Sequence, residues 1–116
     1  MEVRNMMVKA SRTTVLAGIL ALVAGPALAL DEGAAERLMK KSGCLKCHSV
    51  SAKKEGPPFK ETAAKYKGKA DAEQAVYKHL TTNPMIEVDG NKERHDGLKT
   101  KKDDEIRNVV QYILSR

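Results

Sequence analysis

The two cysteines of this 116-residue chain stand three positions apart, and a histidine follows the second, in Cys44-Leu45-Lys46-Cys47-His48. This is the C-x-x-C-H pattern of covalent haem attachment. The spacing has a chemical reason. Each thiol can add to one haem vinyl group, and two intervening residues let a single turn of chain reach both. The adjoining imidazole then points at the iron, a ligand role that suits neutral histidine when its other nitrogen is hydrogen-bonded. Other readings of the pair are weaker. A thioredoxin-type disulfide lacks its βαβ surroundings. A zinc site lacks a second cysteine pair, and His48 stands too close to Cys47 to complete one. Chance is disfavoured because the motif directly follows an amphipathic segment in a chain with an export signature.

That signature occupies residues 1–29. Arg4, Lys9 and Arg12 are followed by an uncharged apolar run from Thr14 to Ala24, a Gly25-Pro26 break and the small-x-small triplet Ala27-Leu28-Ala29. The order is that of a secretory signal peptide cleaved after Ala29. The run is shorter than the roughly 20 apolar residues of a membrane span, so no stable membrane anchor is expected. Removing 29 residues leaves 87, residues 30–116, as one domain in an oxidising periplasm-like compartment. Taking off three basic residues and Glu2 lowers the formal charge from +6 to +4. A chain of that length has a small core and often needs a staple or prosthetic group. Phe59, Tyr66, Tyr77 and Tyr112 are its only rings, and a haem would supply the large apolar body they do not.

Helical signals dominate the remainder. Asp31 suits an N-cap before Glu32 and Glu36, and Ala34, Ala35, Leu38 and Met39 recur at helical spacing up to Gly43, predicting a helix over 32–42. Ser49 to Pro58 is polar and ends in Gly56-Pro57-Pro58, a loop by turn chemistry. A short helix is expected over 59–66, closed by Gly68. Another, capped by Asp71, is expected over 72–82, with Ala72, Val76 and Leu80 on one face and Asn83-Pro84 as its stop. Met85 to Thr100 shows no helical period. The last helix starts near Asp103, and Ile106, Val109, Val110 and Ile113 follow the i, i+3, i+4, i+7 rule. No stretch alternates clearly with period two, so an all-α fold without a sheet is expected.

The order of helix, C-x-x-C-H, polar loop, Gly-Pro, a short helix with Ala63-Ala64-Lys65-Tyr66-Lys67-Gly68, a third helix and a final amphipathic helix resembles the small bacterial monohaem class I cytochromes c. The likeness covers nearly all of Leu30 to Arg116. It implies three to four helices wrapped around one covalent haem c, attached at Cys44 and Cys47, with His48 on the proximal side of the iron. It further implies that Pro57 offers its carbonyl to the Nδ1 of His48. The first and last helices would cross near the attachment site, with Leu38 and Met39 against Val109, Tyr112 and Ile113.

The chain departs from the family at the sixth ligand, usually a methionine from the loop before the last helix. His95 precedes Asp103 by eight residues and occupies that place, whereas Met85 precedes it by eighteen. His95 is the favoured distal ligand and Met85 the alternative. A solvated loop role stays open for His95 and packing against the haem edge for Met85, as does an open or water-filled sixth site, and His79 reads as a surface residue of the third helix. Methionine raises a haem's reduction potential and histidine in its place lowers it.

The expected function is electron transfer, by a carrier or an electron-accepting subunit, and not enzyme catalysis, because no second acid–base cluster lies near the motif. The competing reading is a haem sensor or small haem enzyme with a displaceable distal ligand. Lys40, Lys41, Lys46, Lys53, Lys54, Lys60, Lys65, Lys67 and Lys69 crowd the motif-bearing half, which suits redox partners with an acidic docking surface. Glu36, Glu55 and Glu61 are interleaved with them, as on an ordinary solvated surface. Nucleic acid fits neither the compartment nor the absence of an aromatic-basic pattern.

Overall fold

The computed structural model describes residues 29–116. All but the last residue of the expected signal peptide therefore lies outside the described residues. The four expected helices form, joined by a one-turn helix through the cysteines: α1 (Glu32–Lys41), α2 (Cys44–Cys47), α3 (Phe59–Tyr66), α4 (Ala72–Thr81) and α5 (Asp103–Leu114). None of the described helices is long and apolar enough to cross a membrane.

Helix α1 starts where the Asp31 carboxylate accepts a hydrogen bond from Ala34 N at 2.9 Å, which satisfies one of the orphan donors of the first turn. The same residue joins α1 to α5. Asp31 N donates to Asn108 Oδ1 at 2.9 Å, and Asn108 Nδ2 donates to Asp31 O at 2.8 Å. Between the two helices, Ala35, Met39 and Val109 are almost completely buried, and Leu38, Tyr112 and Ile113 belong to the same cluster. This is the expected crossing. Full burial of one such side chain contributes roughly 1.5–3 kcal/mol. The methyl of Ala35 keeps the helices close, and Tyr112 reaches out to donate its hydroxyl to Glu36 at 3.0 Å.

Helix α5 is the hub, packed on its apolar face by α1, α3 and α4. Phe59 of α3 meets Tyr112 edge to face at 6.3 Å. Val76 and Leu80 of α4 complete the core. Asp71 occupies the N-cap position of α4, but its side chain makes no capping hydrogen bond. The helix is tied instead from its outer face, where Tyr77 donates to Asp103 at 2.9 Å.

The expectation of no sheet is corrected. Strands β1 (Met85–Val88) and β2 (Asn91–Arg94) pair antiparallel, with Met85 opposite Arg94 and Val88 opposite Asn91. The turn explains them. Asp89 and Gly90 have φ values of 49° and 81°, the double left-handed geometry of the two-residue turn that Asp-Gly favours. Ile86 and Val88 are half-buried while Met85 and Glu87 face out, so period two is present over four residues only. The fold remains predominantly helical.

Candidate functional site

Gly43, left-handed at φ 81°, turns the chain from α1 into α2. The single turn of α2 places Cys44 and Cys47 on neighbouring parts of one short helix, both as free, partly buried thiols. Burial raises the pKa of each thiol, and Glu55, whose Oε2 lies 3.4 Å from Cys47 Sγ, adds to the effect at Cys47. His48 follows with extended backbone, and its N–H closes the turn on Cys44 O at 2.9 Å.

The loop after His48 folds back over the imidazole. Gly56 N donates to Cys47 O at 2.8 Å, and Phe59 N donates to Ser49 O at 2.9 Å. These bonds bring Pro57 O to 2.8 Å from His48 Nδ1, which donates to it. That bond leaves the lone pair on Nε2. Gly56 lies against the ring so closely that a Cβ there would stand 2.4 Å from Cε1. On the core side, Phe59 stacks on the ring at 5.5 Å with planes 21° apart. His48 is held by a bond, a cradle and a stacked ring.

The segment after the hairpin brings the ring of His95 close to that of His48. Its backbone is held at several points. His95 N donates to Pro84 O at 2.8 Å and Leu98 N to Leu80 O at 3.3 Å. Lys99 N donates to Ser42 Oγ at 2.8 Å, and Ser42 is a buried polar residue. Gly97 passes so near the end of α4 that a Cβ would meet Leu80 O at 2.6 Å and Asn83 Oδ1 at 2.7 Å. The result is a ring-centroid separation of 6.1 Å between His48 and His95, with planes inclined by 56°. Burial, followed by the neighbouring His79 and His48, lowers the pKa of His95, which favours the uncharged ring. Its Nδ1 is buried without a hydrogen-bond partner among the described residues.

These residues fit a covalently held haem. Two thiols sit one turn apart. One imidazole has a free Nε2, and a second imidazole stands at a distance suited to a shared iron. Metal–imidazole bonds of about 2 Å on either side would put the two ring centroids about 6 Å apart. Met85 is 57 % exposed at the start of β1, opposite Arg94 and next to Pro84, whose carbonyl accepts from His95 N. His79 is a residue whose setting the sequence reading missed. It is exposed on α4, yet its ring lies 4.3 Å from that of His95. Ser42 was also passed over, and Gly97 was legible only as a turn glycine two residues after His95.

The cytochrome c family model matches residues 33–116. Among curated proteins, the chain is 47 % identical over 51 residues to cytochrome c-552 of Hydrogenobacter thermophilus, covering 44 % of this chain and 52 % of that protein. It is 40 % identical over 45 residues to cytochrome c-551 of Pseudomonas aeruginosa, covering 39 % and 43 %. The chain thus spans about half the length of the curated relatives it matches. Among solved structures it is similar to class 1 cytochrome MtoD from Sideroxydans lithotrophicus, with a TM-score of 0.72 and 40 % identity over 75 % of this chain and 97 % of that one. Cytochrome c552 of Nitrosomonas europaea matches with a TM-score of 0.54 and 26 % identity over 69 % and 96 %. A predominantly helical fold around a C-x-x-C-H turn, matched over 33–116, makes this chain a member of the cytochrome c family, in its small class I form, whose proteins carry one covalently attached haem c.

Proposed function

We propose that this protein transfers single electrons in the periplasm through one haem c bound to Cys44 and Cys47, with His48 as proximal and His95 as distal iron ligand. The separation of 6.1 Å between the two imidazoles carries the reading. The haem, when bound, supplies the one-electron couple. The chain supplies attachment, two axial nitrogens and an environment that keeps both in place. Pro57 O holds His48 in the tautomer whose Nε2 can donate. The bonds from His95 N, Leu98 N and Lys99 N hold the distal segment across from it. Iron with both axial positions filled suits electron transfer better than gas binding or catalysis, and a histidine pair lowers the potential relative to histidine with methionine.

In this reading residues 1–29 are the export signal and residues 30–116 the mature carrier, working alone or as the electron-accepting subunit of an oxidoreductase. An acidic partner suits the surface near the attachment turn. An open groove of about 590 Å³ between α1 and the following loop is lined by Arg37, Lys40 and Lys54 around Leu45, which is 36 % exposed. Glu36, the acid in that groove, accepts from Tyr112. Association should weaken with salt.

Two measurements test the reading. Mass spectrometry of denatured mature protein should retain the haem mass; haem removed by acid-acetone would defeat covalent attachment. For the distal ligand, wild-type protein should lack the near-infrared charge-transfer band of methionine ligation. His95→Ala should open ferrous iron to carbon monoxide, and Met85→Ala should leave the spectrum unchanged. The reverse pattern would make Met85 the ligand, and prompt carbon monoxide binding by wild-type protein would favour the sensor reading.

A further inference from the structure

The two facing histidines differ in the fate of their Nδ1 atoms. That of His48 donates to Pro57 O. That of His95 is buried and has no partner among the described residues. A histidine that binds metal through one nitrogen almost always donates its other ring N–H to an acceptor. A buried donor left without one keeps the full cost of its lost hydration. Two backbone carbonyls of this region, Pro84 O and Leu80 O, accept from His95 N and Leu98 N and not from the ring. The polar side chain packed against His95 is His79, at 4.3 Å between ring centroids and 55° between planes. It sits in the last turn of α4, and the residue is exposed, so its ring has room to turn. A neutral imidazole carries one lone pair able to accept such a bond.

We propose that His79 accepts the Nδ1–H of His95 and is thereby a positioning residue for the distal iron ligand. This rests on the reading of His95 as that ligand. The bond fixes the plane of the distal ring and makes its ligating nitrogen more electron-rich, which favours ferric iron. Helix α4 thereby does for the distal histidine what the Pro57 carbonyl does for the proximal one. Its acceptor is a side chain that one substitution can remove without touching the backbone.

The test compares intact holoprotein of wild type, His79→Ala, His79→Gln and His95→Ala by EPR, redox titration and carbon monoxide binding. His79→Ala should stay low-spin with shifted g values, because His95 still binds. Its ferric–ferrous equilibrium should move about three- to tenfold toward ferrous, or about 30–60 mV at 59 mV per tenfold for one electron. Carbon monoxide should enter several-fold faster. His79→Gln, which restores an acceptor, should return each value most of the way to wild type, whereas a loss of packing alone would leave potential and g values unmoved. Unchanged EPR and potential in His79→Ala, in a protein whose iron His95→Ala opens, would overturn the proposal and leave the distal ligand standing. If His95→Ala stays low-spin and only the double variant opens, His79 is itself a ligand and the proposal also fails. If His95→Ala has no effect at all, the distal assignment falls and the inference goes with it.

Discussion

The two halves of the proposed site, proximal around His48 and distal around His95, hold their histidines by different physics. On the proximal side the groups that fix His48 lie within eleven positions of it: the α2 turn, Gly56 against the ring, the Pro57 carbonyl on Nδ1 and Phe59 behind it. On the distal side, His95 hangs from contacts collected across the molecule: Ser42 at the end of α1, Leu80 and His79 on α4, and Pro84 at the base of the hairpin. The proximal arrangement is a local motif that closes on itself. The distal arrangement exists only once α1, α4 and α5 have packed. Damage to the first should therefore prevent haem incorporation, and damage to the second should yield a haem protein with altered ligation.

Gly56→Ala is the strongest way to break that contrast. The added methyl would stand 2.4 Å from His48 Cε1 and 2.7 Å from Nδ1, and the Pro57 bond leaves the ring little room to retreat. A cost of about 1–3 kcal/mol from overpacking falls on His48 itself. Yield of haem-bearing protein, read by haem absorbance in extracts, should drop severely. A normal yield with a normal spectrum would show the proximal cradle to be dispensable.

Gly97→Ala should act next. Its methyl would press on Leu80 O and Asn83 Oδ1, and a helix-end carbonyl cannot swing away as a side chain can. The distal segment must shift, at about 1–3 kcal/mol, measurable as a lower thermal midpoint. Haem should still attach, because the thiols are untouched, while carbon monoxide should reach ferrous iron faster. Loss of haem incorporation in this variant would mean that the two sides are not separable.

Gly90→Ala sharpens the comparison from the weak end. Gly90 sits at φ 81° with open space around it, so the substitution meets backbone strain of about 1 kcal/mol without any clash. Thermal stability should fall slightly, and the optical and EPR spectra should not change. A change in ligation would show that the hairpin tip, and not only its base at Pro84, sets the position of His95.

The proximal half was legible in residue order because its contacts are local. Cys44, Cys47 and His48 lie within one turn, Gly56-Pro57 follows at loop distance, and the helices on either side announce themselves by spacing and caps. The apolar stripe of α5, with Ile106, Val109, Val110 and Ile113, likewise announced a helix with one buried face. The hairpin was written in Asp89-Gly90 but not in its strands, because four residues carry too little alternation to outweigh their charge. No pattern in the chain marked His79 or Ser42. His79 stands sixteen residues before His95, and the two rings meet only because Val76 and Leu80 fix the rotation of α4 on α5 while the hairpin returns the chain to the end of that helix. Sequence by itself determined which residues can bond within a turn or a loop. Which side chains face each other across the distal side was decided by helix rotation and by the path of the intervening chain, which are properties of the packed core.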